Sequence, residues 1–145
     1  MSRRRILVAE GNANDRQKLS NWLSTVGYEV VVARDGAEAV STVRSYPLDL
    51  VVLNTCFPPD VAHGGGAFED GFQVIGWLQR LKETEHVLFL LITDKDAAKI
   101  EDKARASGAR GLLQKPVDPD TLLRVVQQIL DGAPPRPEDQ APPAG

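Results

Sequence analysis

The chain holds a single cysteine in 145 residues, Cys56. One thiol cannot build an internal disulfide framework, so a reducing, cytoplasmic setting is expected. No apolar run approaches the roughly 20 residues that a membrane-crossing helix needs, and no membrane association is expected. Arg3, Arg4 and Arg5 are followed by only a short apolar stretch, which argues against a secretory leader. There is no basic stripe. The net charge is −3 with both signs spread along the chain, so a nucleic-acid partner is not expected and the three arginines read as a solvated lead-in to the first strand. Cys56, His63 and His86 match no zinc-ligand spacing. Gly64-Gly65-Gly66 lacks the Lys-Ser/Thr of a phosphate-binding loop and reads as a flexible insertion. Neither a Gly-x-Ser-x-Gly elbow nor a dinucleotide fingerprint is present, and the expectation is a protein that is not an enzyme.

What is present is alternation. Arg5–Ala9 is a short apolar strand, and Asn12 or Asn14 caps a helix carrying Leu19, Trp22, Leu23 and Val26, ended by Gly27. Tyr28–Ala33 is β-branched and strand-like. Asp35-Gly36 opens a helix whose inner face is Ala37, Val40 and Val43. The third strand runs from about Leu48 to Leu53, and a third helix carries Phe72, Ile75, Leu78 and Leu81. Val87–Ile92 is a strand buried on both faces. Ile100 and Ala104 mark a fourth helix closed by Gly108, and Gly111–Gln114 is the fifth strand. Asp118-Pro119 caps a last helix with a stripe of Leu122, Val126 and Ile129.

Five strands alternating with five helices predict an α/β fold: one doubly wound parallel sheet with helices on both faces. At this length roughly two-thirds of the unfolded surface is buried without help from disulfides or metals. The folded domain is expected over 1–132. Residues 133–145 hold five prolines and no large apolar residue, which predicts a disordered tail or linker. Pro134-Pro135-Arg136-Pro137 reads as spacer before it reads as a ligand for an aromatic groove.

In such a sheet, ligands bind outside the carboxyl ends of the strands. The loops there contribute Glu10, Asn54, Thr93 and Lys115. Several motifs recur in order: Ile-Leu-Val-Ala-Glu-Gly at 6–11, Asp-Leu-Val-Val-Leu-Asn at 49–54, Asp70-Gly71, Ile92-Thr93, and Gly108-Ala109 leading to Lys115-Pro116. From about Arg4 to Leu130 the chain resembles the receiver domains of two-component response regulators, which have the flavodoxin-like (βα)5 fold.

The resemblance implies a phosphorelay module. Its strand-end aspartate accepts a phosphoryl group from a histidine kinase, with Mg²⁺ bound beside it by an acidic pair. A threonine or serine and a lysine hold the phosphoryl oxygens, and the lysine–proline bond is cis, here Pro116. The chemistry needs those types: a carboxylate nucleophile, hard oxygen ligands for Mg²⁺ and a cation facing the transferring group.

This chain departs from that pattern. Asn54 stands at the phosphoacceptor position. Glu10-Gly11 replaces the acidic pair, so metal binding is expected to be absent, or weak at Glu10 and Asn54, and no cofactor is expected. Leu112 occupies the position where the family often carries a switch aromatic, and the loop over 58–69 is long. Thr93 and Lys115 are kept. The expectation is an atypical pseudo-receiver, independent of phosphorylation, with Lys115 bonded to Glu10 or to the Asn54 amide oxygen and nearly balancing the Glu10 charge. The alternative is an ordinary phosphorelay regulator with residual Mg²⁺-dependent acceptor activity. Thr55 and Asp70 are poorly placed as substitute acceptors. The partner is expected to be a protein, either a sensor kinase or an effector domain. It would dock on a face containing Ala104, Ala106, Leu112, Gln114 and Val117, and a homodimer stays open. Trp77 is expected to be part-exposed and Cys56 to be buried filler.

Overall fold

The computed structural model describes residues 3–56 and 71–132. Strands β1 (Arg5–Ala9), β2 (Glu29–Ala33), β3 (Leu50–Asn54), β4 (Leu88–Thr93) and β5 (Gly111–Gln114) alternate with five helices. These are α1 (Ala13–Thr25), α2 (Gly36–Ser45), α3 (Gly71–Gln79), α4 (Ala97–Ala106) and α5 (Pro119–Asp131). The five strands form one sheet in the order β2-β1-β3-β4-β5, and every pair is parallel.

Strand side chains point alternately to the two faces of the sheet. Ile6, Val8, Leu50, Val52, Leu90 and Ile92 pack beneath Leu19 and Leu23 of α1 and Leu122, Val126 and Leu130 of α5. The intervening residues Leu7, Ala9, Val51, Leu53, Phe89 and Leu91 meet α2, α3 and Ala104 of α4. This double cover explains why β3 and β4 are apolar at successive positions rather than at every second one. Each fully buried Leu, Ile or Val contributes roughly 1.5–3 kcal/mol.

Local chemistry sets the helix ends. Asn12, Asp35, Asp96 and Asp118 are N-caps whose side-chain oxygens accept from Asp15, Glu38, Ala98 and Thr121 backbone N–H groups at 2.8–3.0 Å. After α1, Gly27 turns the chain at φ 103°, a conformation that favours glycine.

Several sequence expectations need correction. Val26 is 54 % exposed because it is the C-cap of α1 rather than part of the buried stripe. In α2 the buried positions are Gly36, Ala39, Val40 and Val43, while Ala37 is only partly buried. The α5 stripe ends on Leu130, eight residues after Leu122, and Ile129 sits at its margin. Leu48 lies before β3 but is buried with the core. The proline-rich segment 133–145 lies outside the described residues, as do the glycine-rich insertion, His63 and Asp70.

Candidate functional site

Four of the five loops at the carboxyl edge of the sheet carry the expected site residues. Glu10 follows β1, Asn54 ends β3, Thr93 ends β4 and Lys115 follows β5. Strand register brings them together: Ala9 lies opposite Leu53, Asn54 opposite Ile92, and Thr93 opposite Gln114. Glu10, Asn54 and Thr93 are all buried. A buried polar group needs a partner, and each of these has one within the chain.

The Asn54 amide nitrogen donates to Glu10 Oε2 at 2.7 Å, and its carbonyl oxygen accepts from the Cys56 backbone N–H at 2.9 Å. The other Glu10 oxygen accepts from the Asn12 N–H at 3.0 Å. The Arg16 guanidinium donates to the Glu10 backbone carbonyl at 2.9 Å. Thr93 Oγ1 takes the Thr55 hydroxyl at 2.9 Å and the Lys95 N–H at 3.0 Å. Lys115 Nζ lies 2.9 Å from Glu10 Oε2, 2.8 Å from Asp15 Oδ2 and 3.5 Å from Asp94 Oδ1. The Lys115–Pro116 peptide is cis.

Burial by itself would lower the Lys115 pKa. Hydrogen bonds to Asp15 and Glu10, with the charges of Glu10 and Asp94, outweigh it and hold the ammonium above the ordinary lysine value.

Of the two partners expected for Lys115, the structure selects Glu10. The Asn54 amide oxygen is taken by its own strand end. The near balance of Glu10 against Lys115 does not hold, because Asp15 and Asp94 bring two more carboxylates to the ammonium. Asp15 was missed because motif reading stops at Gly11. The Asn12 cap carries the signal, since it starts α1 there and leaves Asp15 in the first turn, beside the sheet edge.

Other positions divide clearly. Gly11 is part-exposed and supplies no carboxylate. Thr55 is buried and committed to Thr93. Cys56 is exposed, not buried filler, since it lies just past the end of β3 where the sheet opens. His86 precedes β4, so it and Cys56 lie at opposite sheet edges and cannot share an ion. Ala104 is 5 % exposed and belongs mainly to the core, so it reaches the outside only as part of the wall of the groove between α4 and β5. Val117 packs partly against the α1–α5 cluster. Ala106 and Gln114 are exposed, and the Gln114 side chain accepts from the Ala97 N–H at 2.8 Å. Leu112 is half-buried and helps to line a groove of about 490 Å³ between α4 and β5. Trp77 is 45 % exposed on α3.

These donors do not suit the Mg²⁺ that such a sheet edge would be expected to carry. Mg²⁺ requires near-octahedral oxygen ligation, but Glu10 Oε2 already faces an amide N–H and an ammonium. Among the described residues, no group of three or more His, Cys, Asp or Glu is arranged to hold a metal. No described helix is long and apolar enough to cross a membrane.

Comparison with known proteins agrees with the geometry. The model of the response regulator receiver domain matches residues 6–127. Protein PilH of Pseudomonas aeruginosa is 29 % identical over 128 residues, covering 88 % of this chain and 98 % of that protein. The polar-differentiation response regulator DivK of Brucella abortus is 21 % identical over 88 % of this chain and 97 % of its own. The probable transcriptional regulator ycf29 of Pyropia yezoensis is 22 % identical, and the chain spans only 53 % of its length. Among solved structures, the chemotaxis response regulator CheY4 of Vibrio cholerae superposes with a TM-score of 0.77 at 25 % identity, covering 88 % of this chain and 99 % of that one. A CheY-like receiver domain from Methanospirillum hungatei gives 0.77 at 21 % identity over 90 % and 95 %. With the family model spanning all five strands, the chain belongs to the response regulator receiver domain family.

Proposed function

We propose that this receiver domain signals without phosphorylation, as a cytoplasmic module that acts by binding another protein. The observation that carries this reading is Asn54. It occupies the strand-end position where the receiver chemistry needs a carboxylate, and both ends of its amide are hydrogen-bonded within the chain. A neutral amide has no anionic oxygen with which to attack phosphorus. The side chains that would receive a phosphoryl group are also engaged, Thr93 by Thr55 and Lys115 by Glu10 and Asp15.

The partner is a protein, either a sensor kinase or an effector domain, and a second copy of the chain belongs to the same class of partner. Docking is assigned to the face of α4, β5 and α5, through Ala106, Leu112, Gln114 and Val117. The groove between α4 and β5, lined by Leu112 and small alanines with Glu101, Arg105 and Arg110 around them, supplies concave surface on that face. The competing reading, residual Mg²⁺-dependent phosphoacceptor activity, draws on the retained Thr93 and Lys115. Two observations test this reading, and the first separates it from its competitor. Acetyl phosphate with Mg²⁺ should leave the native protein unmodified. Ala106→Glu and Gln114→Arg should abolish partner binding, and binding that survived both substitutions would refute the docking face.

A further inference from the structure

We propose that Lys115 is the resident cation of this pocket, fixed there by Asp15 of α1 in place of a divalent ion. The inference deepens the phosphorylation-independent reading and rests on it.

The ammonium joins three segments that have no other common partner among the described contacts. Glu10 comes from the end of β1, Asp15 from the first turn of α1 and Asp94 from the loop after β4. Nζ is within 3.5 Å of a carboxylate from each. The Lys115 side chain is 14 % exposed and that of Glu10 is 4 % exposed. Charges this sheltered must be paired, because isolated ions are strongly disfavoured there.

Asn54 strengthens the exclusion of a metal. Its amide nitrogen and the Lys115 ammonium both address Glu10 Oε2. Together the two donors leave that oxygen no open position for a metal, and loss of the ammonium alone would reopen one. Arg16 brings a further positive group to the Glu10 main chain. With aspartate at position 54 the same oxygen would face an anion, and the balance would move back toward a divalent cation.

Asp15 is the positioning residue rather than Asp94. Asp15 lies nearer to Nζ and its side chain is 35 % exposed, against 67 % for Asp94. Water screens the outer carboxylate more strongly.

The test is an Mg²⁺ titration followed through backbone amide resonances of residues 10–16 and 54–56. The native protein should show no saturable shift at millimolar Mg²⁺. Lys115→Met removes the internal cation and leaves Glu10, Asp15 and Asp94 unneutralised, so affinity for Mg²⁺ should rise by about tenfold or more. Adding Asp15→Asn should reverse most of that gain, while Lys115→Arg should exclude Mg²⁺ as the native protein does. Native protein that binds Mg²⁺ as tightly as Lys115→Met overturns the proposal.

A second readout keeps the idea testable if Lys115→Met does not fold. The Lys115 ammonium should give a slowly exchanging ¹⁵N–¹H signal in the native protein. Asp15→Asn should abolish the signal, Asp15→Glu should restore it and Asp94→Asn should leave it in place. Persistence of the signal in Asp15→Asn refutes the role of Asp15. Phosphoryl incorporation by the native protein would instead refute the phosphorylation-independent reading, and it is measured separately from either result.

Discussion

Lys115 and Asp15, 100 positions apart in sequence, meet through a 2.8 Å ion pair that ties the loop after β5 to the first turn of α1. The contact closes the pocket on the side where α1 and α5 cover the sheet. It also makes Lys115 a structural residue. Removing it leaves the buried Glu10 carboxylate facing only neutral donors, so Lys115→Met should cost about 2–3 kcal/mol of stability. Asp15 is part-exposed, and Asp15→Asn should cost only about 0.5–1 kcal/mol. Urea unfolding of the two variants beside the native protein measures both, and the reverse ranking would refute the assignment of Glu10 as the buried partner.

The same ion pair has a pH signature. The Lys115 pKa is raised above its ordinary value of 10.5, so the folded state binds that proton more tightly than the unfolded chain does. The stabilisation is therefore complete below pH 10.5 and is lost as pH rises through the higher folded value. The stability difference between native protein and Lys115→Met should stay flat up to that point and shrink beyond it. A difference that grew with alkaline pH would contradict the sign.

Gly71 opens α3 directly against the end of β3. A Cβ there would stand 2.6 Å from the Asn54 carbonyl oxygen and 3.1 Å from Leu53 Cγ. Backbone cannot yield as a flexible side chain does. Gly71→Ala should therefore push α3 away from the strand and cost about 1–3 kcal/mol, with amide shifts concentrated at residues 53–56. Unchanged stability would mean that the α3 entry adapts freely.

The Thr55–Thr93 hydroxyl pair is fully internal. Thr55→Val keeps the shape and removes the donor, leaving Thr93 Oγ1 with the Lys95 N–H alone. A loss of about 1–2 kcal/mol in denaturant unfolding is expected. Thr55→Ser should recover most of it, and a neutral Thr55→Val would show that the pair does not support the pocket.

Much of this was legible in the sequence because the decisive signals are local. The apolar runs at Ile6–Ala9 and Leu88–Ile92, the caps Asp35 and Asp118, and Gly27 each specify one element through nearest-neighbour chemistry. Ordered motifs placed Glu10, Asn54, Thr93 and Lys115 on one edge, since parallel topology leaves few alternatives. What sequence could not supply was partner choice at long range. Asp15 pairs with a residue from the far end of the chain, and Thr55 pairs with Thr93 across neighbouring strands. Ala104 shows the same limit. The pattern placed it on α4, but whether it faced the core or a partner depended on how α4 settles over Phe89 and Leu91.

The most direct test of the central claim is intact mass after incubation with acetyl phosphate and Mg²⁺, with native protein beside Asn54→Asp. The account predicts no added phosphoryl group on the native chain. A phosphoryl group on Asn54→Asp alone would show that only the nucleophile is missing. If that variant also stays unmodified, a carboxylate at position 54 does not bring the divalent cation back, which counts against the part given to Asn54 in excluding it. A phosphoryl adduct on the native protein would contradict the account and identify another residue as the acceptor.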